Sequence, residues 1–179
     1  MRPYAGIGVL MLPVSSDSGD AAYEELQRYD EPGIYRRGAL EIVRIPRHEW
    51  IFGSGSAMVP LVVMAKKAGW LKVVYDDAGR EAWINPGRRG TFQPWEVFFK
   101  GQAGRMLPGL QKKYYQLFRQ PDSGQPLTSV TPRQVFKMIL LDGDWAVVMS
   151  DPNSLNWMRW RDEDGRLLIG LERGGTPTK

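Results

Sequence analysis

Two stretches in which apolar and polar residues alternate on both sides of a turn constrain the fold of this chain most strongly. The first runs from residues 69–75 to residues 81–84 across the Asp- and Gly-rich turn at residues 76–80. The second runs from residues 144–149 to residues 155–160 across the turn-forming segment 150–154. Alternation interrupted by such turn residues is typical of a β-hairpin. The sequence therefore predicts two antiparallel hairpins, one in each half of the chain.

The two hairpins belong to a longer internal repeat. Trp70 and Trp83 are 13 residues apart and Trp145 and Trp157 are 12 apart, a difference expected of a variable turn. Upstream, residues 26–32 resemble residues 115–121, each an alternating strand before a proline turn, and Met-Leu-Pro occurs at 11–13 and 106–108. The offset between copies falls from 95 to 89 to 75, which indicates extra residues in the first copy. We place them around residues 46–57, with the loop tip at residues 53–56.

Glycine and proline usage fits this pattern of short elements. The chain has 20 Gly and 13 Pro in 179 residues without a collagen-like period, which favours tight turns over long helices. It has no cysteine, which excludes a disulfide framework, a thiolate metal site and a cysteine nucleophile. The sequence thus predicts an all-β protein.

Two segments of the first hairpin region carry a family resemblance. Gly-Trp-Leu-Lys-Val-Val-Tyr-Asp-Asp at residues 69–77, followed by Ala-Trp-Ile-Asn-Pro at residues 82–86, resembles the bacterial SH3-like (SH3b) domain family, and residues 156–158 resemble it more weakly. The resemblance implies two small SH3-like antiparallel barrels in tandem, packed against each other. The first covers residues 1–100, with an N-terminal strand and a long inserted loop, and the second covers residues 101–179. Residues 92–100 are interpreted as the last strand of the first barrel and residues 101–108 as the connector.

The same resemblance implies a non-catalytic binding or assembly module of the bacterial cell envelope, which recognises a protein or a cell-wall component. No catalytic residue, metal ligand set or cofactor is predicted. His48 is the only histidine, and it lies in a polar segment without a nucleophile motif nearby. Asp76 and Asp77 are expected in a solvent-exposed turn, where little would shift their pKa. The glycine-rich segments lack the strand and helix context of a nucleotide-binding loop.

Aromatic residues are the candidate ligand-binding groups. Seven Trp, seven Tyr and six Phe exceed what a thin barrel core holds, so some are expected together on the surface. The alternative is that these tryptophans pack across hairpins as core residues. The predicted set comprises four residues of the first copy and four of the second: Tyr29, Trp70, Tyr75 and Trp83, then Phe118, Trp145, Trp157 and Trp160.

A nucleic-acid-binding β-barrel is the alternative function, because exposed aromatics in a basic barrel also bind single strands. The chain carries a net charge of +4 and a pI of about 9.4, but its basic pairs are scattered among acids. Nucleic acid is therefore disfavoured as the partner unless Lys66, Lys67, Lys72, Arg88 and Arg89 form one cationic face. A second copy of the chain stays open as a partner.

No membrane span is predicted, since the apolar runs at residues 6–12 and 58–65 are far shorter than the roughly 20 residues that a bilayer requires. The N-terminal run is interpreted as a strand because it lacks the full apolar region and cleavage site of a signal peptide. The expected location is periplasmic or extracellular if a leader has been removed, and otherwise cytoplasmic.

Overall fold

A computed structural model describes residues 2–13, 26–41, 44–53 and 58–172 of the chain. Most of the predicted loop tip at residues 53–56 lies outside the described residues. The fold is predominantly β, with 50% strand against 9% helix, and every strand pairing is antiparallel. The prediction of an all-β antiparallel fold is confirmed at this level.

The first seven strands form one sheet. In chain order they are β1 (Gly8–Pro13), β2 (Gln27–Glu31), β3 (Ile34–Ala39), β4 (Met58–Lys67), β5 (Trp70–Val74), β6 (Glu81–Ile84) and β7 (Thr91–Pro94). Their order across the sheet is β3-β2-β6-β5-β4-β1-β7. The predicted hairpin is β5–β6, with Leu71 opposite Ile84 and Val73 opposite Ala82.

The alternation predicted for β5 is seen directly in its burial. Leu71 and Val73 are buried, whereas Trp70, Lys72 and Val74 on the opposite face are half-buried. Because side chains alternate across a strand, one face of β5 builds the core and the other builds a surface. The core combines side chains from most of the sheet: Leu10, Leu12, Leu26, Leu40, Ile45, Val59, Leu61, Val63, Leu71, Val73 and Ile84.

The remaining elements form a second group. The helices are α1 (Glu49–Phe52), α2 (Trp95–Phe99) and a 3-10 helix at Lys112–Tyr115. The strands are β8 (Ala103–Met106), β9 (Gln116–Leu117), β10 (Thr128–Ser129), β11 (Phe136–Asp142), β12 (Trp145–Asp151), β13 (Ser154–Arg159) and β14 (Ile169–Leu171). Five of these strands pair in the order β13-β12-β11-β8-β14, and β9 pairs with β10. The second predicted hairpin is β12–β13.

The two groups of strands have the same order. An isolated bridge between Phe118, which follows β9, and Trp157 of β13 links the β10–β9 pair to the five-stranded sheet. The combined order β10-β9-β13-β12-β11-β8-β14 becomes the order of the first sheet when seven is subtracted from each strand number. Each strand thus has the same neighbours, in the same chain order, as its counterpart seven strands earlier.

Closed barrels, however, are not formed. Within the described residues β3 pairs only with β2 at one end of the first sheet, and β7 pairs only with β1 at the other. The sheets are therefore open. Pro94 contributes to this at one end, because it ends β7 without a backbone N–H and α2 begins at the next residue.

The interpretations of residues 92–100 as a strand and of residues 101–108 as a connector are wrong. Only β7 is extended, and α2 follows because Trp95, Phe98 and Phe99 lie at helical spacing and pack together, with the rings of Trp95 and Phe99 stacked at 5.2 Å. The supposed connector contains β8, which lies between β11 and β14 in its sheet. Gly104 of β8 is buried, and a Cβ there would lie 2.8 Å from the Met138 Cε atom.

The chain divides into two compact units, each assembled from separate segments. The first unit comprises Ala5–Arg47 and Gly55–Pro94, and the second comprises Met1–Tyr4, His48–Ser54 and Trp95–Lys179. The inserted segment predicted around residues 46–57 thus contains α1. This helix packs closely on β14 within the second unit, since a Cβ on Gly170 would lie 2.6 Å from the Trp50 carbonyl oxygen. The division into domains 1–100 and 101–179 stays a prediction.

Candidate functional site

Strand register brings three predicted aromatic residues to one face of the first sheet. Tyr29 of β2 lies opposite Trp83 of β6, which in turn lies opposite Lys72 of β5. Trp70 is two residues before Lys72 on β5 and therefore shares its face. The rings of Tyr29 and Trp70 meet edge to face, with centroids 5.1 Å apart and an interplanar angle of 87°. This is the outer face of the sheet, opposite the core residues Leu71 and Val73.

These rings line a pocket of about 640 Å³, which we call the Trp70 pocket. It is lined by Leu26, Gln27, Tyr29, Trp70, Asn85, Gly87 and Arg89. Trp83 is only 9% exposed and is not among the lining residues. The turn between β2 and β3 approaches the indole, since a Cβ on Gly33 would lie 3.7 Å from the Trp70 Cζ2 atom. Gly33 has a φ of +75°, a conformation that glycine adopts without strain.

The loop after β6 holds two polar side chains at the Trp70 pocket. The Asn85 Oδ1 atom accepts a hydrogen bond from the Gly87 backbone N–H at 3.1 Å. The Arg89 N–H donates to the Pro86 carbonyl oxygen at 2.9 Å, which closes a tight turn. Across the pocket, the Gln27 Oε1 atom accepts from Arg36 Nε at 2.9 Å. These bonds fix the backbone of the loop from Asn85 to Arg89, and both of these residues line the Trp70 pocket.

Tyr75 lies away from the Trp70 pocket. Its ring packs against the core of the first sheet, with the Arg28 guanidinium 4.4 Å and the Arg80 guanidinium 5.6 Å from its centroid. These residues border a separate space of about 100 Å³. The structure therefore does not bring Tyr75 together with Tyr29 and Trp70.

Asp76, beside Tyr75, is buried, contrary to the expectation of a solvent-exposed turn carboxylate. Its side chain accepts a hydrogen bond from the Arg80 backbone N–H at 3.0 Å and another from the Arg80 guanidinium. Burial opposes its charge, but these hydrogen bonds outweigh burial and lower the pKa of Asp76. The expectation was wrong because the carboxylate turns inward to hold the β5–β6 turn, while Asp77 is exposed.

The second unit has a pocket at corresponding positions, which we call the Trp145 pocket. Phe118 and Trp145 meet edge to face, with centroids 5.4 Å apart and an interplanar angle of 90°. Phe118 exchanges two backbone hydrogen bonds of 2.8 Å with Trp157, as Tyr29 pairs with Trp83 in the first unit. The pocket measures about 320 Å³ and is lined by Lys113, Tyr114, Gln116, Phe118, Asp122, Gly124, Trp145, Arg159 and Glu163.

Arg159 crosses the indole of this second pocket. Its guanidinium lies 4.9 Å from the Trp145 ring centroid, within the range of a cation–π interaction. Its nitrogens also lie 3.7 Å from an Asp144 oxygen and 3.8 Å from an Asp122 oxygen. The side chain is therefore held over Trp145 by an aromatic contact and two acidic neighbours.

A second charged group lies at the rim of the Trp145 pocket. The Tyr114 hydroxyl donates to Glu163 Oε2 at 2.6 Å, and Lys113 Nζ donates to Glu163 Oε1 at 3.1 Å. The hydrogen bond from Tyr114, with the neighbouring Lys113 ammonium, lowers the pKa of Glu163 to about 2. Burial, together with the hydrogen bond to Glu163, raises the pKa of Tyr114. Glu163 is therefore ionised, and each of its carboxylate oxygens accepts a hydrogen bond from a protein side chain.

Trp160 belongs to the core of the second unit. It is 2% exposed, and its ring centroid lies 6.1 Å from that of Trp95 and 6.2 Å from that of Phe99. Its Nε1 atom donates to the Gly143 carbonyl oxygen at 2.9 Å. Trp157 is half-buried on β13. Of the eight predicted residues, Tyr29 and Trp70 line one pocket and Phe118 and Trp145 line the other.

Sequence reasoning missed the polar residues of both pockets, although their positions carried a signal. Asn85 lies two residues after Trp83, and Arg159 lies two residues after Trp157. Gln27 and Gln116 likewise each lie two residues before an aromatic residue of the predicted set, Tyr29 or Phe118. Because alternate residues of a strand share a face, this spacing places them beside the aromatic rings.

The described residues contain no group of three or more His, Asp or Glu side chains placed to hold a metal ion. His48 directly precedes α1, with a φ of 42°, and its ring meets that of Trp50 edge to face at 5.8 Å. None of the helices in the described part of the chain has the length and apolar character needed to cross a membrane.

Comparison with known proteins found no similar protein. No protein-family model matches the chain, and searches of curated proteins and of solved structures return no significant match.

Proposed function

We propose that the protein is a non-catalytic binding module of the bacterial cell envelope, built from two diverged SH3-like copies, whose ligand occupies the Trp70 pocket. The two-copy proposal is supported by the shared strand order of the two units and by the corresponding aromatic pairs Tyr29–Trp70 and Phe118–Trp145. The ligand is a cell-wall component or a protein.

The observation that carries the binding proposal is the open aromatic surface of the Trp70 pocket. Trp70 is half-buried although it is large and apolar, and it lies in a space of about 640 Å³. Pockets that bind small ligands commonly measure about 300–1,000 Å³ and combine aromatic walls with a few fixed polar groups. Tyr29 and Trp70 supply the walls, and the turn at Asn85 and Arg89 supplies the polar groups.

Two of the five cations that would form a nucleic-acid-binding face are engaged elsewhere. Lys72 Nζ lies 2.8 Å from Glu81 Oε2, and Lys66 Nζ lies 5.4 Å from the Phe92 ring centroid. A face that neutralises several phosphates needs its cations directed to the backbone of the nucleic acid. These contacts favour an envelope ligand over a nucleic acid.

Co-sedimentation with purified peptidoglycan, beside binding to single-stranded DNA at two salt concentrations, tests the proposal. We expect the wild-type protein to sediment with peptidoglycan and Trp70→Ala to lose most of this binding while still unfolding cooperatively. Tyr35→Ala is the control, since Tyr35 is 73% exposed in the same unit and does not line the pocket.

Binding to DNA alone, lost steeply as the salt concentration rises, would replace this proposal with the nucleic-acid function through counterion release. Equal sedimentation of the wild type and Trp70→Ala would show that peptidoglycan does not bind in the Trp70 pocket.

A further inference from the structure

Three arginine side chains surround the small space beside Tyr75 in the first unit. The residues that line this space of about 100 Å³ are Arg28, Glu41, Arg44, Tyr75, Asp76 and Arg80. We call it the arginine pocket and propose that it binds a phosphate group, which the three guanidinium groups hold. The arginine pocket shares no lining residue with the Trp70 pocket, and this inference goes beyond the function proposed above.

Arg28 is the half-buried arginine of this pocket. Its Nε atom donates to the Ala39 carbonyl oxygen at 2.9 Å, and its guanidinium lies 4.4 Å from the Tyr75 ring centroid. The register between β2 and β3 shifts just after Arg28, and a bulge of this kind re-aims the side chain beside it. The carbonyl oxygen and the ring hold Arg28 in position, but neither carries a charge that would neutralise it.

Arg44 and Arg80 are placed by short turns. The Arg44 N–H donates to the Glu41 carbonyl oxygen at 3.0 Å, and its Nε atom lies 2.6 Å from Glu41 Oε2. The Arg80 N–H donates to Asp76 Oδ1 at 3.0 Å, and its Nε atom donates to Asp76 Oδ2. Each of these two arginines is thus bonded through its backbone and its side chain to an acidic residue of the same turn.

The three arginines bring more positive charge and more donors than the carboxylates of the pocket accept. The lining residues that the structure describes contribute three positive and two negative charges, an excess of one positive charge. Each arginine is anchored through Nε, one of the five N–H donors of a guanidinium, so up to four donors of each can serve a ligand. A guanidinium binds phosphate oxygens through parallel N–H bonds, and the pocket therefore complements a phosphate.

The size and crowding of the arginine pocket favour a small anion. A space of about 100 Å³ corresponds to roughly three water molecules, well below the 300–1,000 Å³ of pockets that enclose a whole ligand. It suits a single phosphate group, with the rest of its molecule outside. The guanidinium groups of Arg28 and Arg80 lie 4.4 Å and 5.6 Å from the same Tyr75 ring centroid, and an anion between them offsets the repulsion of their like charges.

NMR titration with inorganic phosphate tests this site, with sodium chloride added to keep the ionic strength constant. We expect the Nε–H signals of Arg28 and Arg80 to shift saturably with phosphate and the Arg88 signal to stay in place. Arg88 is the matched reference because it is an exposed arginine of the same unit outside the pocket lining. A linear response, equal to that with sodium chloride alone, would overturn the inference.

Two substitutions connect the phosphate to the arginines. Arg44→Gln should weaken phosphate binding about tenfold, because a charge-assisted hydrogen bond is lost, and Arg88→Gln should leave it unchanged. The Arg44 side chain is 67% exposed, so this variant should keep the fold. Arg28→Gln should weaken binding at least as much, but it also removes the bond to Ala39, so its cooperative unfolding is checked in parallel. Wild-type affinity in both pocket variants would contradict the proposal.

Glycerol 3-phosphate distinguishes the sources of the phosphate. It carries the group on the scaffold of a lipid headgroup, so tighter binding than that of inorganic phosphate identifies a headgroup, and equal or weaker binding identifies free phosphate. Trp70→Ala leaves the lining of the arginine pocket intact and should bind phosphate as the wild type does. Phosphate binding and peptidoglycan binding therefore fail separately.

Discussion

The Trp70 and Trp145 pockets have corresponding frameworks but differ in what lies over the indole. In each, an edge-to-face aromatic pair sits beside a glutamine two residues earlier in the chain, Gln27 or Gln116. The residue two positions after the second tryptophan of the hairpin also lines each pocket. It is Asn85 in the first unit and Arg159 in the second.

The turn after β2 and its counterpart after β9 also differ in the side chain that each brings to its pocket. Gly33 and Asp122 each follow a proline and each have positive φ, +75° and +53°. Asp122 lies 3.8 Å from Arg159, whereas Gly33 brings no side chain to Trp70. Arg159 and Asp122 thus place charged side chains beside Trp145, at positions that Asn85 and Gly33 occupy in the first unit, and the two pockets measure about 320 Å³ and about 640 Å³.

The largest expected effect is on stability. Trp145 is 8% exposed and Trp70 is half-buried, so Trp145→Ala should cost about 3–5 kcal/mol in the free energy of unfolding and Trp70→Ala less than half of that. Urea denaturation of both variants measures the difference, with Trp160→Ala, a fully buried tryptophan, as the benchmark. An equal or larger loss for Trp70→Ala would mean that Trp70 is a core residue and not a pocket wall.

The next largest effect is on ligand binding and comes from exchanging Asn85 and Arg159, the corresponding lining residues of the two pockets. Asn85→Arg should place a guanidinium over Trp70 as Arg159 lies over Trp145, and weaken peptidoglycan binding about tenfold through a cation–π contact that the ligand must displace. Asn153→Arg is the control, because it adds the same charge at an exposed turn outside both pockets.

In a Trp70→Ala background, Arg159→Asn should restore part of the lost sedimentation by uncovering Trp145. Unchanged binding by Asn85→Arg would show that the pockets do not correspond in function.

The smallest effect is the pH dependence of stability that Glu163 contributes in the second unit. The pKa of Glu163 is lowered to about 2 from an ordinary value of 4.5, so its contribution is fully present above about pH 4.5 and is lost as the pH falls through 2. The Glu163 side chain is 53% exposed, which limits the contribution to about 1 kcal/mol or less. The melting temperatures of wild type and Glu163→Gln should therefore converge between pH 5 and pH 2, and a constant gap would contradict this.

Local pattern was sufficient to predict the hairpins, because alternation and turn residues determine β5–β6 and β12–β13 within a few residues of sequence. Trp70 begins β5 and Trp145 begins β12, the first strand of each predicted hairpin. The five-residue helix α2 was missed because a short apolar run is consistent with either a strand or a helix.

Local sequence pattern does not predict which other side chains surround a given residue in the folded protein. Trp160 was assigned to a binding surface, but its burial depends on contacts with Trp95 and Phe99 of that same unpredicted helix. Asp76 was expected in solvent, but its carboxylate bonds to Arg80 within its own turn. In both cases the outcome depends on how one element packs or folds back, which residue type alone does not specify.

The most direct test of the central claim is a nitrogen-15 NMR spectrum of the seven tryptophan indole N–H groups during titration with soluble peptidoglycan fragments. Each signal is assigned by a Trp→Phe substitution. We expect the Trp70 signal to shift progressively with ligand, while the signals of Trp145, under Arg159, and of the buried Trp95 and Trp160 stay in place. A shift at Trp145 with none at Trp70 would contradict it.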